Sequence, residues 1–192
     1  MLEPTHVDAA FPLRGKRLPL DHGYLLFSAV SKALPALHER KAWGLHPVLG
    51  RRVAPGELEL IARSLLKLRL PVAELGAALP LAGQILDVGG HKVKVGVPRV
   101  YPLESRPTLR SRFVTIKHHA DSEADFAGAA REQLGAIEGL GQDPATLELA
   151  VGPRRVIRVS EQTIVGFPVT ISGLNADASL CVQRLGIGGR RH

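Results

Sequence analysis

Three things are scarce in this sequence: cysteine, aromatic residues and long apolar runs. Cys181 is the single cysteine in 192 residues, so the chain has neither a disulfide framework nor a cysteine-built metal site. Aromatic residues make up 4% of a chain that is 45% hydrophobic, which predicts a core of aliphatic side chains. No run approaches the roughly 18 apolar residues that span a bilayer, and residues 1–11 lack the pattern of a secretory signal. We therefore expect a cytoplasmic protein that does not bind a membrane.

Metal-ligand and nucleotide-binding motifs are also missing. The eight histidines do not lie with cysteines or acidic residues at zinc-finger or HExxH spacing, and the carboxylates do not cluster as a magnesium site requires. The sequence has no Walker A loop and no G-x-S-x-G elbow. These absences disfavour a metal-dependent nuclease, a nucleotide hydrolase and a serine esterase, and we expect no metal ion and no cofactor.

Positive charge is in excess and clustered. Lys and Arg outnumber Asp and Glu by 25 to 18, and residues 99–117 contain five basic side chains against one acidic one. The guanidinium fork offers phosphate two parallel hydrogen bonds, so this pattern favours nucleic acid as the partner. A solvated basic surface is the alternative. The internal residues predicted to contact the nucleic acid are Arg110, Arg112, Lys117, Arg154 and Arg155.

The first half of the chain alternates between strand and helix patterns. Apolar residues at period 2 predict strands, and apolar residues at helical spacing predict helices. Gly89-Gly90 between two β-rich runs predicts a tight hairpin turn. In order, we expect a strand at 7–13, a helix at 22–37 with Asp21 as its N-cap, strands at 58–61 and 64–70, a helix at 72–79 and a hairpin at 85–97.

The second half repeats this order after a connector at 98–109. Ser122 followed by Asp125 predicts a capped helix start. In order, we expect a strand at 111–119, a helix from Ser122 to Ile137, strands at 146–151, 154–160 and 164–171, and a helix at 175–185. The predicted fold class is therefore α+β, with tandem ferredoxin-like (RRM-like) folds and a duplicated β-α-β-β-α-β pattern whose last strand is missing. We expect the domains at 1–105 and 106–192.

Histidines near the first helix are candidates for chemistry. Metal-free RNA cleavage needs groups that take and give protons, and the unperturbed pKa of histidine lies near neutrality. The motif DHGY puts His22 in the first turn, where a helix N-terminus attracts phosphate, and puts Tyr24 where it can position a ribose or base. An exposed structural histidine is the alternative. His46, held extended before Pro47, is a second candidate, with a turn histidine as its alternative.

The glycine-rich tail GIGGRRH is the most distinctive local feature. Glycines let a backbone approach a phosphate chain closely, and the two arginines that follow can close over it. A disordered basic tail is the alternative. The tail residues predicted to bind RNA are Gly186, Gly188, Gly189, Arg190 and Arg191.

Six stretches, collinear along the chain, resemble the CRISPR-associated Cas endoribonuclease that processes precursor CRISPR RNA, in its MYXAN-subtype branch. They are FPLRGKRLPLDHGYLLFSAVSKALPALH (11–38), GLHPVLG (44–50), SLLKLRLPVAELGAALPLAGQ (64–84), LRSRFVTIK (109–117), VGFPVTISGL (165–174) and QRLGIGGRRH (183–192). The resemblance implies tandem ferredoxin-like folds, a glycine-rich loop after the last helix, and a catalytic histidine near the first helix, where His22 lies. It also implies cleavage at the base of the repeat hairpin, with 2′,3′-cyclic phosphate and 5′-hydroxyl products. His46 stays open as the catalytic residue.

Two functions follow from the residues and the resemblance together. The first is a metal-independent endoribonuclease that binds the stem-loop of CRISPR repeat RNA and stays on the mature guide beside other Cas proteins in a Cascade-type interference complex. The second is a non-catalytic RNA-binding subunit of such a complex, in which His22 is structural. Relatives in this branch continue past the tail with one more strand, which we expect this chain to lack.

Overall fold

A computed structural model of the chain describes residues 5–40, 42–119, 122–159 and 162–188. The chain divides into two compact units, Met1–Leu103 and Glu104–His192. Each unit has its own cluster of buried, mainly aliphatic side chains. Within the described ranges, no helix is long and apolar enough to cross a membrane.

The first unit is a main antiparallel sheet with helices on one face and a small sheet beside it. The main sheet has the order β3-β6-β1-β8-β7 with β9 also on β1, and the small sheet has the order β2-β5-β4. In chain order the elements are β1 (His6–Arg14), β2 (Arg17–Pro19), α1 (Gly23–Ala33), α2 (Ala36–Glu39), β3 (Gly44–His46), β4 (Arg51–Ala54), β5 (Glu57–Glu59), β6 (Leu65–Pro71), α3 (Leu75–Ala78) between two single 3-10 turns, β7 (Ile85–Val88), β8 (His91–Val95) and β9 (Arg99–Pro102).

Strand β1 is central in this sheet, and its residues from Val7 to Phe11 are all buried. Phe11 on β1 and Leu66 and Leu68 on β6 are fully buried and face the helices. The side chains between them point to the opposite face, as the period of a strand requires. Reading β3, β6, β1 and β8 across the sheet gives the second, third, first and fourth strands of a ferredoxin-like fold.

The described part of the second unit repeats the first three strands and the two helices of this arrangement. Its sheet has the order β10-β13-β11, and β12 pairs with the first half of β13. Within the part described, which ends at residue 188, no strand follows the last helix. The elements are β10 (Thr108–Val114), α4 (Glu123–Gly135), β11 (Glu148–Val151), β12 (Arg155–Val159), β13 (Gln162–Ser172) and α5 (Ala176–Leu185), with one 3-10 turn at Pro144–Thr146.

The α+β fold class and its tandem ferredoxin-like plan are confirmed, and several local predictions hold. Gly89 and Gly90 adopt φ of 60° and 86° in the β7–β8 turn, the left-handed values that a two-residue hairpin of this type requires. The hydroxyl of Ser122 accepts the N–H of Asp125 at 3.1 Å, which caps α4 as predicted.

Two predictions about the first helix were wrong. The predicted helix at 22–37 is broken: α1 ends at Ala33, and α2 starts at Ala36 after Pro35, because proline has no N–H to donate and crowds the preceding turn. The N-cap of α1 is His22 rather than Asp21, and no side chain caps this helix.

The strand predicted at 111–119 was also wrong at both ends. Strand β10 begins at Thr108, and its register with β13 shifts between Ser111 and Val114, after which the strand ends. His118 has a φ of 66°, a value that no strand residue adopts, so His118 and His119 lie in the turn before α4.

Candidate functional site

His22 lies inside the first unit, where both of its ring nitrogens are hydrogen-bonded. Its side chain is only 3% exposed. The backbone N–H of Val48 donates to Nε2 at 2.9 Å, and Nδ1 lies 2.9 Å from the carbonyl oxygen of Pro19. A nitrogen that accepts an N–H keeps its lone pair, so Nδ1 carries the proton and donates it to Pro19. His22 is therefore a neutral imidazole that ties the start of α1 to the loop after β3.

A second histidine, which the sequence analysis did not select, lies close to the same helix and is exposed. His38 is on α2, and its ring packs edge-on against Phe27 of α1, with the ring centroids 5.7 Å apart. Tyr24 is one turn before Phe27 on α1 and is 51% exposed. These residues place an accessible imidazole and an accessible phenol along one side of the helix pair. In the sequence, His38 lies just beyond the predicted end of a single long helix, and no motif indicates that it is a candidate for catalysis.

His46 belongs to a charged cluster on the open face of the main sheet. Cross-strand register places His46 beside Lys67, and Asp8 beside Arg69. Arg69 holds the Asp8 carboxylate with two hydrogen bonds, from Nε at 2.8 Å and from Nη2 at 3.0 Å, and Nζ of Lys67 lies 3.4 Å from the same carboxylate. Asp8 is only 7% exposed. A buried carboxylate thus fixes the direction of two cations that share a face with His46.

The charges of this cluster are set by burial and by the two cations. Burial opposes ionisation of Asp8, but the hydrogen bond and charge of Arg69, with His46 and Lys67, together lower the pKa of Asp8. Burial and then the charge of Arg69 lower the pKa of His46 to about 4, although Asp8 acts in the opposite direction. At neutral pH, His46 is therefore an uncharged imidazole next to two cations.

The low pKa of His46 makes the stability of the protein depend on pH. Between about pH 6.5 and about pH 4 the unfolded chain takes up a proton at His46 and the folded protein does not. We therefore expect the free energy of unfolding to fall as the pH drops through this window, by about 2–3 kcal/mol from His46. The stability linked to Asp8 is lost only at lower pH, because its pKa lies below the ordinary 3.8.

Urea unfolding at several pH values, for the wild type and for His46→Gln, measures this dependence. The variant is expected to lose less stability than the wild type between pH 6.5 and pH 4, since glutamine does not titrate. Parallel loss of stability in the two proteins over that window would contradict the assignment.

Trp43 and Glu74 fix the chain just before the strand that carries His46. The Glu74 carboxylate accepts hydrogen bonds from Arg40 Nη1 at 2.5 Å and from the Trp43 indole N–H at 2.6 Å. The Arg40 guanidinium also lies 5.4 Å from the Trp43 ring centroid. These two hydrogen bonds, that from Arg40 first, lower the pKa of Glu74. The segment that joins α2 to β3 is thereby anchored at both ends.

The predicted RNA-contacting residues of the second unit lie on its surface. Arg110 and Arg112 are exposed on β10, and Lys117 is exposed in the turn that follows. Arg154 and Arg155 are exposed at the start of β12. In the described part of this unit, no salt bridge joins any of these five cations to a carboxylate.

The described part of the glycine-rich tail packs against β10. Gly186 ends α5 with a φ of 70°. Gly188 has a φ of 95°, and its N–H donates to Oε1 of Gln133 on α4 at 2.7 Å. A Cβ at Gly188 would lie 2.5 Å from Val114 Cγ1, so only glycine fits there. Gly189, Arg190 and Arg191 lie outside the described residues.

Among the residues that the structure describes, no three His, Cys, Asp or Glu side chains are grouped so as to hold a metal ion. The sites proposed from the sequence are therefore of three kinds. They are His22, Tyr24 and His46 of the first unit, the five exposed cations of the second unit, and the glycine-rich tail, whose described part packs against β10.

Comparison with known proteins adds to this geometry. A family model described as "Cas6 Crispr" matches residues 7–192. A curated relative, the CRISPR-associated endonuclease Cas6 of Myxococcus xanthus (strain DK1622), is 43% identical over 186 residues, which cover 97% of this chain and 77% of the relative.

Two solved structures share the fold at 14% identity. The "CRISPR associated protein Cas6" superposes with a TM-score of 0.54 over 97% of this chain and 94% of that one. "An RAMP protein binding different RNA substrates" superposes with a TM-score of 0.61 over 96% and 94% of the two chains. The fold and this likeness together define the class of protein, an α+β chain of tandem ferredoxin-like folds. The family match and the curated relative go further: the chain belongs to the Cas6 family of CRISPR-associated endoribonucleases, which confirms the resemblance found in the sequence.

Proposed function

We propose that this chain is a metal-independent endoribonuclease that binds the stem-loop of CRISPR repeat RNA and cleaves precursor CRISPR RNA. The observation that carries the proposal is the family match over residues 7–192, together with 43% identity to a CRISPR-associated endonuclease. The same observations favour cleavage over a purely RNA-binding role, since the relative is an endonuclease. After cleavage, the protein stays on the mature guide beside other Cas proteins in a Cascade-type complex.

The proposed reaction needs only proton transfer and charge stabilisation. The ribose 2′-hydroxyl gives up its proton as its oxygen bonds to the adjacent phosphorus, and the bond from phosphorus to the 5′-oxygen breaks. That 5′-oxygen takes up a proton, so the products are a 2′,3′-cyclic phosphate and a 5′-hydroxyl. An imidazole serves either proton transfer, and cations stabilise the charge that develops on the phosphoryl oxygens.

His38 is the histidine whose surroundings suit proton transfer best. It is exposed beside Phe27, so an RNA phosphate can reach it. His46 has a pKa of about 4, well below the pH at which a general base works most efficiently. Tyr24, exposed on the same side of α1, is proposed to position the ribose or a base beside His38.

His22 is proposed to support catalysis indirectly, by holding the start of α1 in place. To accept a proton at Nε2 it would have to give up the hydrogen bond from Val48, and its ring is buried. It holds the start of α1 against the loop after β3, and so sets where Tyr24 and the α1–α2 connection lie. His22 is in this proposal a positioning residue rather than the general base expected from the sequence.

RNA affinity is proposed to come largely from the second unit. Arg110, Arg112, Lys117, Arg154 and Arg155 are exposed cations suited to the phosphate backbone. The close contact of Gly188 with Val114 brings the described part of the tail next to β10. The tail residues Gly186, Gly188, Gly189, Arg190 and Arg191 are proposed to contact the RNA backbone.

Removal of divalent metal tests the proposed chemistry. In single-turnover cleavage of repeat RNA, the rate constant in excess EDTA is expected to be within about twofold of that in magnesium, because the reaction uses no metal-bound group. Because RNA folding itself responds to magnesium, the repeat is refolded identically in both reactions and its hairpin is checked by thermal melting. Cleavage that stops in EDTA while the hairpin stays folded would overturn metal independence, and tight binding without cleavage in either buffer would favour the non-catalytic subunit.

A further inference from the structure

The hairpin of β7 and β8 has one strongly basic face. Its inward residues, Val88 and Val93 among them, are fully buried in the core. Alternation along the strand therefore turns Lys92 and Lys94 outward, and both are exposed. Arg14, the exposed last residue of β1, is the cross-strand partner of Lys94 and adds a third cation to the same face.

The backbone under these cations is closely packed. A Cβ at Gly15 would lie 2.8 Å from Val93 Cγ1 and 3.2 Å from the carbonyl oxygen of Lys92, so the turn after β1 lies directly on β8. Lys16 follows in this turn, is exposed, and its carbonyl accepts the N–H of Leu60 at 3.0 Å. The backbone that carries the four cations is therefore already ordered, and ligand binding does not have to order it.

The positive charge of this face is only partly offset within the unit. In the described part of the chain, no salt bridge joins Arg14, Lys16, Lys92 or Lys94 to a carboxylate. Asp87 is the cross-strand partner of Lys92 on this face, and its Oδ1 accepts the N–H of Gly90 at 2.7 Å in the turn.

The adjoining small sheet shows the opposite arrangement. Arg17 is paired with Glu57 at 2.6 Å, and Arg51 is paired with Glu59. Arg17 and Arg51 therefore have acidic partners in their own unit. Among the described residues, the four cations of the hairpin form no such salt bridge, and they outnumber the single carboxylate of Asp87 beside them, so the face keeps a net positive charge for an external anion.

We propose that Arg14, Lys16, Lys92 and Lys94 form a binding surface for the phosphate backbone of the RNA substrate. Lys92 and Lys94 are two residues apart on one face, about 7 Å along the strand, and so can contact successive phosphates. Lysine is a compact charge on a flexible stem, which suits contact with backbone phosphates of any sequence. This inference rests on the proposed function, because it assumes that RNA is the substrate.

The surface does not include His38, the histidine assigned to cleavage. His38 is on α2, whose Leu37 packs in the same core as the inward residues of β7 and β8, whereas Lys92 and Lys94 point away from that core. The two lysines therefore contribute to holding the RNA and not to the reaction at the scissile phosphate. Loss of their charge is expected to change affinity and its salt dependence, with the rate constant at saturating protein unchanged.

The test compares two double variants of equal net charge. Lys92→Gln with Lys94→Gln removes two cations of the surface, and Arg17→Gln with Arg51→Gln removes two paired cations of the small sheet. Binding of the repeat hairpin, and of an unrelated hairpin of the same length, is measured between about 0.05 and 0.3 M salt. Single-turnover cleavage of the repeat is measured at saturating protein.

The lysine variant is expected to bind both hairpins about tenfold or more weakly at low salt, with the slope of log K against log salt reduced by about 1.4–1.8. The arginine variant is expected to keep the wild-type slope. Equal effects of the two variants, or no effect of the lysine variant, would overturn the proposed surface. These outcomes are read from binding alone, so absence of cleavage in the wild type would refute the proposed function without affecting them.

Discussion

A repeat RNA with a single 2′-deoxyribose on the 5′ side of the scissile phosphate is expected to bind this protein and to remain uncut. In the proposed reaction the 2′-oxygen of that ribose is the nucleophile, and no other group replaces it. Removing one oxygen atom therefore removes the reaction, and the rate is expected to fall below detection, by at least about 10⁴-fold. The phosphate contacts that supply most of the affinity are left in place.

Gel analysis of single-turnover reactions, with a binding titration on the same RNA, measures both quantities. An RNA with the deoxyribose one nucleotide away is the matched control, and it is expected to be cut at the normal rate. Sensitivity of the cut product to phosphatase only after acid treatment identifies a cyclic phosphate. Cleavage of the deoxy-substituted RNA at the original position would show that water, and not the 2′-hydroxyl, attacks the phosphorus.

His38→Ala is expected to slow cleavage by about 10²–10⁴-fold, the usual contribution of a general acid or base. RNA affinity is expected to change by less than about threefold, because an exposed histidine next to Phe27 contributes one contact among many. Single-turnover rates at saturating protein separate the two quantities. His118→Asn is a suitable control, since His118 is also exposed and asparagine tolerates its positive φ.

Variants at the other two histidines complete this experiment. His22→Ala is expected to lower stability by about 2–4 kcal/mol, through a cavity and two lost hydrogen-bond partners, so its thermal unfolding is measured beside its activity. His46→Ala is expected to retain most of the cleavage rate. Full activity of His38→Ala, together with inactivity of a folded His22 or His46 variant, would move the catalytic role to that residue.

How well these features can be predicted from the sequence depends on how many residues separate the interacting side chains along the chain. The Gly89-Gly90 turn and the Ser122 cap are decided within four residues, and both were predicted correctly. The surroundings of His22 depend on Val48, which is 26 residues away and reads as an ordinary apolar residue. A histidine at a helix start therefore looked exposed in the sequence, although the chain after β3 covers it.

The charged cluster of the main sheet follows the same rule. Asp8 and Arg69 are 61 residues apart, and the sequence around Asp8 reads as an apolar strand with one polar residue. Only the register of β1 against β6 brings the two together. Period 2 patterns identify strands, but they do not specify which strands become neighbours, so the cluster and its effect on His46 required the structure.

The hydrogen bonds of His22 have a consequence for variation in chain length. They close the neck of a loop that runs from Pro19 to Val48 and contains α1, α2 and β3. Lengthening a closed loop costs little, about 0.6 kcal/mol for each doubling, provided that its neck is preserved. The connection between α1 and α2 at Leu34–Pro35 is consequently a place where an insertion could move His38 without disturbing the sheet. The two hydrogen bonds of His22 therefore keep the ends of this loop in place even if the position of His38 within the loop changes.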